Sequence, residues 1–467
     1  MMKAYDTYVE IGLPWLSSVP AHWNISRNKH VFSEKKELVG NKDKNYRLLS
    51  LTLNGIIPRD VSSGKGKFPA SFDKYKVVKP GYMAFCLFDI DETPRTVGLS
   101  AHDGMLTGAY TIMEVRGVNP RYAYYYYLAL DNVKALKPLY TGLRKTIKVE
   151  IFQSIKMPIP QSDEQSQIVR YLDWKTSEIN KLITAKKKQI ELLTEHRQAL
   201  IDSMVFSSLD TSDQIENGNI WGIPIPKTWN VLKFNQVFKF GKGLAITKAD
   251  LIEEGVPVIS YGQVHSKLNC GTRINDSLIR FVSKNYLDSS PSCIVNKGDF
   301  IFADTSEDFA GVGNCVYVDQ VMDLFAGYHT VIARPKDGKE NRYYAYLFKS
   351  SAWRYQLRKQ VNGVKVFSIT QKILKNAYVI TPPSNEQERI VAALDTSCAT
   401  IDNMVIAIRK EIDCFHELRT RLISDVVTGQ IDVRNAEIPE FEYVEEIEDE
   451  SDEDIENTVE DTEDEEV

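Results

Sequence analysis

The sequence has little of what a catalytic site is usually built from. Its six cysteines (Cys86, Cys270, Cys293, Cys315, Cys398 and Cys414) include no C-x-x-C, and none stands beside a histidine. That spacing excludes an ordinary zinc site or disulfide framework and points to free thiols in a reducing cytosol. The seven histidines form no H-E-x-x-H and no i, i+4 pair. There is no G-x-x-x-x-G-K-[ST], so no ordinary phosphate loop; the glycines of FGKGLAITK (240–248) lack that spacing and read as a turn. The N-terminus, MMKAYDTYVE, has no apolar core, and no apolar run is expected to span a bilayer. These absences together predict a cytoplasmic protein with no membrane partner and no active site of its own. His329 is expected inside a strand, as a structural histidine. The acidic stretch DTSEDFAGVG (304–313) and its counterpart DIDETPRTVG (89–98) read as polar loops, with a metal site left open.

Positive charge looks scarce only because of the C-terminus. Residues 440–467 carry 17 acidic and no basic side chains, whereas residues 1–439 carry 57 basic and 47 acidic ones. The basic excess lies in two blocks, with 23 basic against 14 acidic in 1–160 and 21 against 15 in 211–383. Two separate basic blocks suggest a polyanion touched twice. The acidic end reads as a disordered tail.

What the sequence does have is itself, twice over. VPAHWNISRNKHVF (19–32) returns as IPKTWNVLKFNQVF (225–238), with Pro20, Trp23, Asn24 and Phe32 matched by Pro226, Trp229, Asn230 and Phe238. VVKPGYMAFC (77–86) then matches IVNKGDFIFA (294–303), and TGAYTIMEVR (107–116) matches AGYHTVIARP (326–335), aligning Thr111 with Thr330. RYAYYYYLAL (121–130) faces RYYAYLFKSS (342–351), and PQSDEQSQIVRYLD (160–173) faces PPSNEQERIVAALD (382–395). Five matches in order identify a tandem duplication of about 220 residues whose loops have drifted in length.

Each repeat opens with short β-like runs, Gly and Pro turns and one late helix, the signature of an α/β (α+β) domain. The tyrosine clusters in that helix are expected in the core. Each repeat then closes on a long helix with a 4-3 seam: Leu172, Thr176, Ile179, Ile183, Lys186, Ile190, Leu193, Arg197, Leu200 and Met204 in the first, and Leu394, Cys398, Ile401, Val405, Ile408, Ile412, Phe415, Arg419, Leu422 and Val426 in the second. A 3.5-residue seam suits a helix lying along another helix. Arg197 and Arg419 interrupt both seams at the same heptad position, which predicts that the two helices pair with each other, as an antiparallel coiled coil with pseudo-two-fold symmetry. The alternative is that each packs on its own domain. Ser162 with Gln165, and Ser384 with Gln387, have the spacing of N-terminal capping boxes. The expected domains are 1–160, 211–383 and the helical segments 161–210 and 384–437, followed by a tail over 438–467.

The doubled Trp-Asn, the doubled Pro-x-x-x-Glu-Gln before a long helix and the basic α/β blocks resemble the specificity subunit of Type I restriction–modification systems over residues 19 to about 430. The resemblance implies two target recognition domains, each reading one half of a split, asymmetric double-stranded DNA sequence. It implies helices that set the half-site distance and dock two methyltransferase subunits, with restriction subunits in the larger complex. S-adenosylmethionine, Mg²⁺ and ATP would then belong to those partners, and no cofactor to this chain. Within the two blocks, the basic Gly-containing loops just before the helix starts are the expected DNA contacts: Arg144, Lys145 and Lys148, with Lys65 and Lys67 behind them, and Arg358, Lys359 and Lys365, with Lys242 and Arg273 behind them. A stand-alone nuclease or modification enzyme, or a coiled-coil scaffold, remains the rival reading.

Overall fold

The computed structural model describes residues 3–59, 71–142, 145–207, 214–215, 223–339, 341–361, 363 and 366–445. The chain divides into two units. Unit 1 comprises 1–188 with 408–467, and unit 2 comprises 189–407. Both long helices are therefore shared, each giving one part to each unit.

Unit 1 is built on a four-stranded antiparallel sheet in the order Phe32–Lys35, Thr111–Val115, Tyr82–Phe85, Val97–Leu99. Unit 2 repeats the order with Phe238–Lys242, Thr330–Pro335, Phe300–Ala303, Cys315–Tyr317. The ladders correct the sequence alignment by one residue. Ile112 pairs with Lys35 and Ala84, and Ile332 pairs with Gly241 and Ile301. The central strands therefore match Ile112 to Ile332 and Tyr110, not Thr111, to Thr330. A one-residue slip turns every side chain to the other face, so only the sheet's buried pattern could set this register.

The late helix of repeat one, Pro120–Asn132, starts where Asn119 Oδ1 accepts from the backbone N–H of Arg121 and Tyr122, with Pro120 in the first turn. Tyr122, Tyr125, Tyr126 and Tyr127 are buried in the core of unit 1, and Tyr343, Tyr344 and Tyr346 in that of unit 2, as expected of clustered helical aromatics.

The repeat also begins earlier than the sequence match. The strands Tyr8–Leu13 and Leu16–Pro20 pair as Tyr8 with Pro20 and Val9 with Val19. The short strands Gln214–Ile215 and Ile225–Pro226 pair as Gln214 with Pro226 and Ile215 with Ile225, the same register at the same spacing of 206.

The long helices run Ser162–Met204 and Ser384–Val427. In each unit their segments lie antiparallel. In unit 1, Lys186 Nζ is 2.6 Å from Glu411, and Arg419 Nη1 donates to Asn180 Oδ1 at 3.0 Å. In unit 2, Arg197 Nε lies 3.0 Å from Asp402 Oδ1, with Ile201 and Val205 in one cluster with Leu394 and Cys398. Asn180 and Asp402 occupy equivalent repeat positions, so each seam arginine finds the same partner position on the other helix. An amide serves in one case and a carboxylate in the other. Contrary to the sequence expectation, one 18-residue stretch of Ser384–Val427 is long and apolar enough to cross a bilayer by composition alone. Leu394, Cys398, Ile401, Ile408 and Ile412 are buried along one seam of this helix, while 22% of the apolar stretch is buried and Met404 and Ile406 stay exposed.

Residues 438–445, expected as the start of the tail, pack on unit 1 instead. Ile438 lies against the core, Val444 N donates to Ser177 Oγ, Asn180 Nδ2 donates to Val444 O, and the Tyr443 ring lies 4.6 Å from the Arg121 guanidinium. Ile438, Tyr443 and Val444 are the apolar side chains among acidic neighbours that make this docking worthwhile. The remainder of the tail, 446–467, lies outside the described residues.

Candidate nucleic-acid interface

The doubled motifs meet in space. The strand that follows Trp23, Asn24–Arg27, pairs antiparallel with Lys156–Ile159, which leads into the first long helix. Asn230–Lys233 pairs in the same way with Tyr378–Thr381. Opening and closing strands of each repeat thus form one ladder, and the conspicuous side chains clasp it. Glu164, 7% exposed, takes Trp23 Nε1 at 3.0 Å and the Tyr5 hydroxyl at 2.7 Å on one oxygen, and lies 2.8 Å from His22 Nε2 on the other. Burial and this carboxylate push the Tyr5 hydroxyl pKa upward. Trp229 Nε1 donates to Glu386 at 3.1 Å.

The adjacent glutamines close the corner. Gln165 Nε2 donates to Pro160 O at 2.8 Å while its Oε1 accepts from Asn119 N. Gln387 Nε2 donates to Pro382 O at 2.6 Å while its Oε1 accepts from Asn341. The expected capping boxes are therefore absent. Ser162 and Ser384 are already helical, and both glutamines tie the helix start to the preceding proline and the late helix rather than reaching back. A second pair of contacts anchors that late helix to the long one. Arg121 and Tyr125 both donate to Asp173, at 2.6 and 2.7 Å, and Arg342 and Tyr346 both donate to Asp395, at 2.6 and 2.5 Å.

On this frame the basic loops lie against the acidic ones. In unit 1, Lys145 sits at φ +46° with Nζ 3.3 Å from Asp91 and 2.5 Å from Glu92. The Tyr140 hydroxyl donates to Asp91 at 2.8 Å. That hydrogen bond first, and Lys145 and Lys137 after it, hold the half-buried Asp91 carboxyl down at about 2. Lys148 is exposed where the helix Val149–Ser154 begins. In unit 2, Arg358 Nη2 donates to Ala310 O at 2.6 Å and its guanidinium lies 5.6 Å from the half-exposed Phe309 ring. Arg354, which sequence reasoning missed, reaches Ala310 O and Asn314 Oδ1. Strands Thr305–Ser306 and Phe367–Ser368 pair across the same two loops. DIDETPRTVG and DTSEDFAGVG are thus partners of the basic loops. No group of three or more His, Cys, Asp or Glu is placed for a metal among the described residues.

Of the expected contacts, Lys148 in unit 1 and Lys359, Lys242 and Arg273 in unit 2 are exposed, with Lys359 Nζ 4.5 Å over the exposed Tyr355 ring. Arg144, Lys65, Lys67 and Lys365 lie outside the described residues. Lys242 lies in an open cleft of about 310 Å³ beside the start of the acidic loop, lined also by Asp304, His329, Ser368, Thr370 and Gln371. His329 is not inside a strand. It is exposed, at φ +53°, one residue before the strand Thr330–Pro335, with Nδ1 3.3 Å from Asp304 Oδ1. The residue type gave no hint of this, because the turn is defined by the ladder's end.

The sequence matches the model of the type I restriction modification DNA specificity domain over residues 107–192 and 226–413, more than half of the chain. The chain belongs to that family. The type I restriction enzyme MjaVIII specificity subunit of Methanocaldococcus jannaschii is 24% identical over 298 residues, covering 63% of this chain and 66% of its own length, just short of two thirds. A chain from a solved structure concerned with complex assembly and conformational transition of the type I R-M system shares the fold, with a TM-score of 0.60 at 16% identity, over 88% of this chain and 99% of that one. In this specificity-family chain the family match takes in the last part of the first α/β domain, nearly all of the second and most of both long helices, and it stops before the docked residues 438–445.

Proposed function

We propose that the chain is the non-catalytic DNA-reading subunit of a cytoplasmic Type I restriction–modification complex. Each recognition domain reads one half of a split, asymmetric duplex target, and the paired helices hold the readers apart and receive two methyltransferase subunits. Restriction subunits join the larger assembly, and S-adenosylmethionine, Mg²⁺ and ATP serve those partners. The observation that carries this reading is one scaffold closed twice by the same Trp–Glu and Gln–Pro contacts, bearing unlike loops. A frame kept twice with different loops suits two different half-sites.

Mapping of modified bases in host DNA, with and without this gene, tests it. Loss of modification at one split, asymmetric motif is the expected result; an unchanged modification pattern counts against the reading.

Phosphate contact on this reading comes from the exposed cations Lys148, Lys359 and Arg273, together with Arg144, Lys65, Lys67 and Lys365, while Lys242 meets DNA from its own cleft. Lys145 and Arg358, expected alongside them, have their hydrogen bonds directed at the acidic loops that face them. Lys148→Ala should therefore weaken DNA binding and reduce the slope of log K against log salt by about one. Lys145→Ala should change that slope by much less. Equal slopes for both variants would show that the pairing with Asp91 and Glu92 does not matter to DNA.

A further inference from the structure

The cleft beside the central sheet of unit 2 is more than a gap between loops. Asp304 and His329 are joined through the backbone, Asp304 N donating to His329 O at 3.0 Å, and Ile369 N donates to Asp304 O at 2.7 Å. These bonds fix both side chains at the end of the ladder, against the start of the helix Gln371–Asn376. The His329 side chain is 59% exposed, and its ring lies 5.5 Å from the Tyr261 ring, which in turn is 5.5 Å from Tyr328. With Nδ1 turned to Asp304 Oδ1, the opposite ring nitrogen is left for a ligand. Asp304 Oδ1 is shut away from solvent and has no hydrogen bond of good geometry among the described residues, although the carboxylate as a whole is 35% exposed. Lys242 supplies an exposed cation at the end of the neighbouring strand.

The other repeat serves as an internal comparison. By the corrected register, His329 corresponds to Ala109 and Asp304 to the buried Leu87, so unit 1 has neither group at this place. The shared scaffold therefore does not need them. A histidine held at positive φ, where the other copy has alanine, marks a position kept for something other than folding.

We propose that this cleft is a base-reading site of the second recognition domain, and that it takes the major-groove edge of a G·C pair. That edge presents two acceptors, guanine N7 and O6, beside one donor, cytosine N4–H. Lys242 provides the donors to guanine N7 and O6, and the exposed oxygen of Asp304 accepts from cytosine N4–H; His329, with Nδ1–H toward Asp304 Oδ1, holds that carboxylate in place and presents its outward nitrogen as a second acceptor. The assignment rests on the DNA-recognition reading above and adds the residues and the base pair.

The test uses the full chain with its partners in cells, mapping modified bases for the unaltered protein and for His329→Gly, Lys242→Ala and Asp304→Asn. Glycine at 329 suits φ +53° and removes only the ring, so a folding defect is not expected. In all three variants modification should fall by about tenfold or more, or the requirement for G·C at one position of one half-site should be lost, with the other half-site unchanged. An identical motif and extent in all three variants overturns this assignment and leaves the recognition reading intact. A motif whose loss spreads over both half-sites also overturns it. Absence of any motif with the unaltered chain overturns the recognition reading, and this one with it.

Discussion

Alanine at Trp23 should cost unit 1 about 3–5 kcal/mol, the range for deleting a buried large aromatic. Trp23 is 4% exposed and packs edge-on against Tyr5 at 5.9 Å. A Cβ at Gly429 would lie 3.2 Å from its ring, so there is no slack for neighbours to fill the space. The deletion also takes one donor from Glu164, which is buried and keeps Tyr5 and His22 among the described residues. Trp23→Phe separates the two contributions, since it retains most of the volume and removes the N–H; it should cost about 1–3 kcal/mol for the loss at a charged acceptor. Denaturant unfolding gives the totals. Hydrogen exchange at Lys156–Ile159 gives the location, because those amides protect the ladder that the clasp holds shut. A cost below about 1 kcal/mol for the alanine variant, with unchanged exchange, would mean that the ladder stands without the clasp.

Lys349→Met should have the opposite sign and stabilise unit 2 at neutral pH. Lys349 is largely buried, its stem close to Gly271, and no acceptor is bonded to its amine among the described residues. Burial first, and the nearby Arg354 second, lower its pKa from 10.5 to about 8. The unfolded chain therefore binds more protons than the folded one between about pH 8 and 10.5, so stability rises with pH across that window. Below it, the folded state carries the full cost of a charged, poorly solvated amine. Methionine keeps the stem and drops the charge, for an expected gain of about 1–3 kcal/mol at pH 7. Unfolding measured from pH 7 to 10.5 should show the rise in the native protein and a smaller one in the variant. A destabilised variant would show that the amine's polar contacts outweigh its burial.

Much of this architecture was legible in one sequence. Its duplication, the tyrosine cores and the long antiparallel helices follow from spacing and periodicity, which are local properties of the chain. Arg197 and Arg419 pointed to helix pairing because a polar break at one heptad position asks for a matched partner, and Asp402 and Asn180 are those partners. The site was read less well. Lys145 and Arg358 looked like free cations because sequence shows charge and not what faces it, and the acidic and basic loops that meet are more than 50 residues apart in unit 1. Gln165 and Gln387 have capping-box spacing, yet a proline carbonyl five residues back and the late helix compete for them and win.

The sequence by itself determined that this protein is two copies of one α/β module joined by seam-bearing helices, and which family it resembles. Repetition and periodicity survive in a linear chain. Only the tertiary structure decided why the repeated residues are repeated: Trp23 and Glu164, far apart in the chain, are the two ends of one hydrogen bond. It also decided the strand register, by which face of the sheet could be buried, and brought Lys242, Asp304 and His329 to one cleft from three strand ends. Those are relations between distant segments, set by packing and hydrogen-bond satisfaction, and no local pattern encodes them.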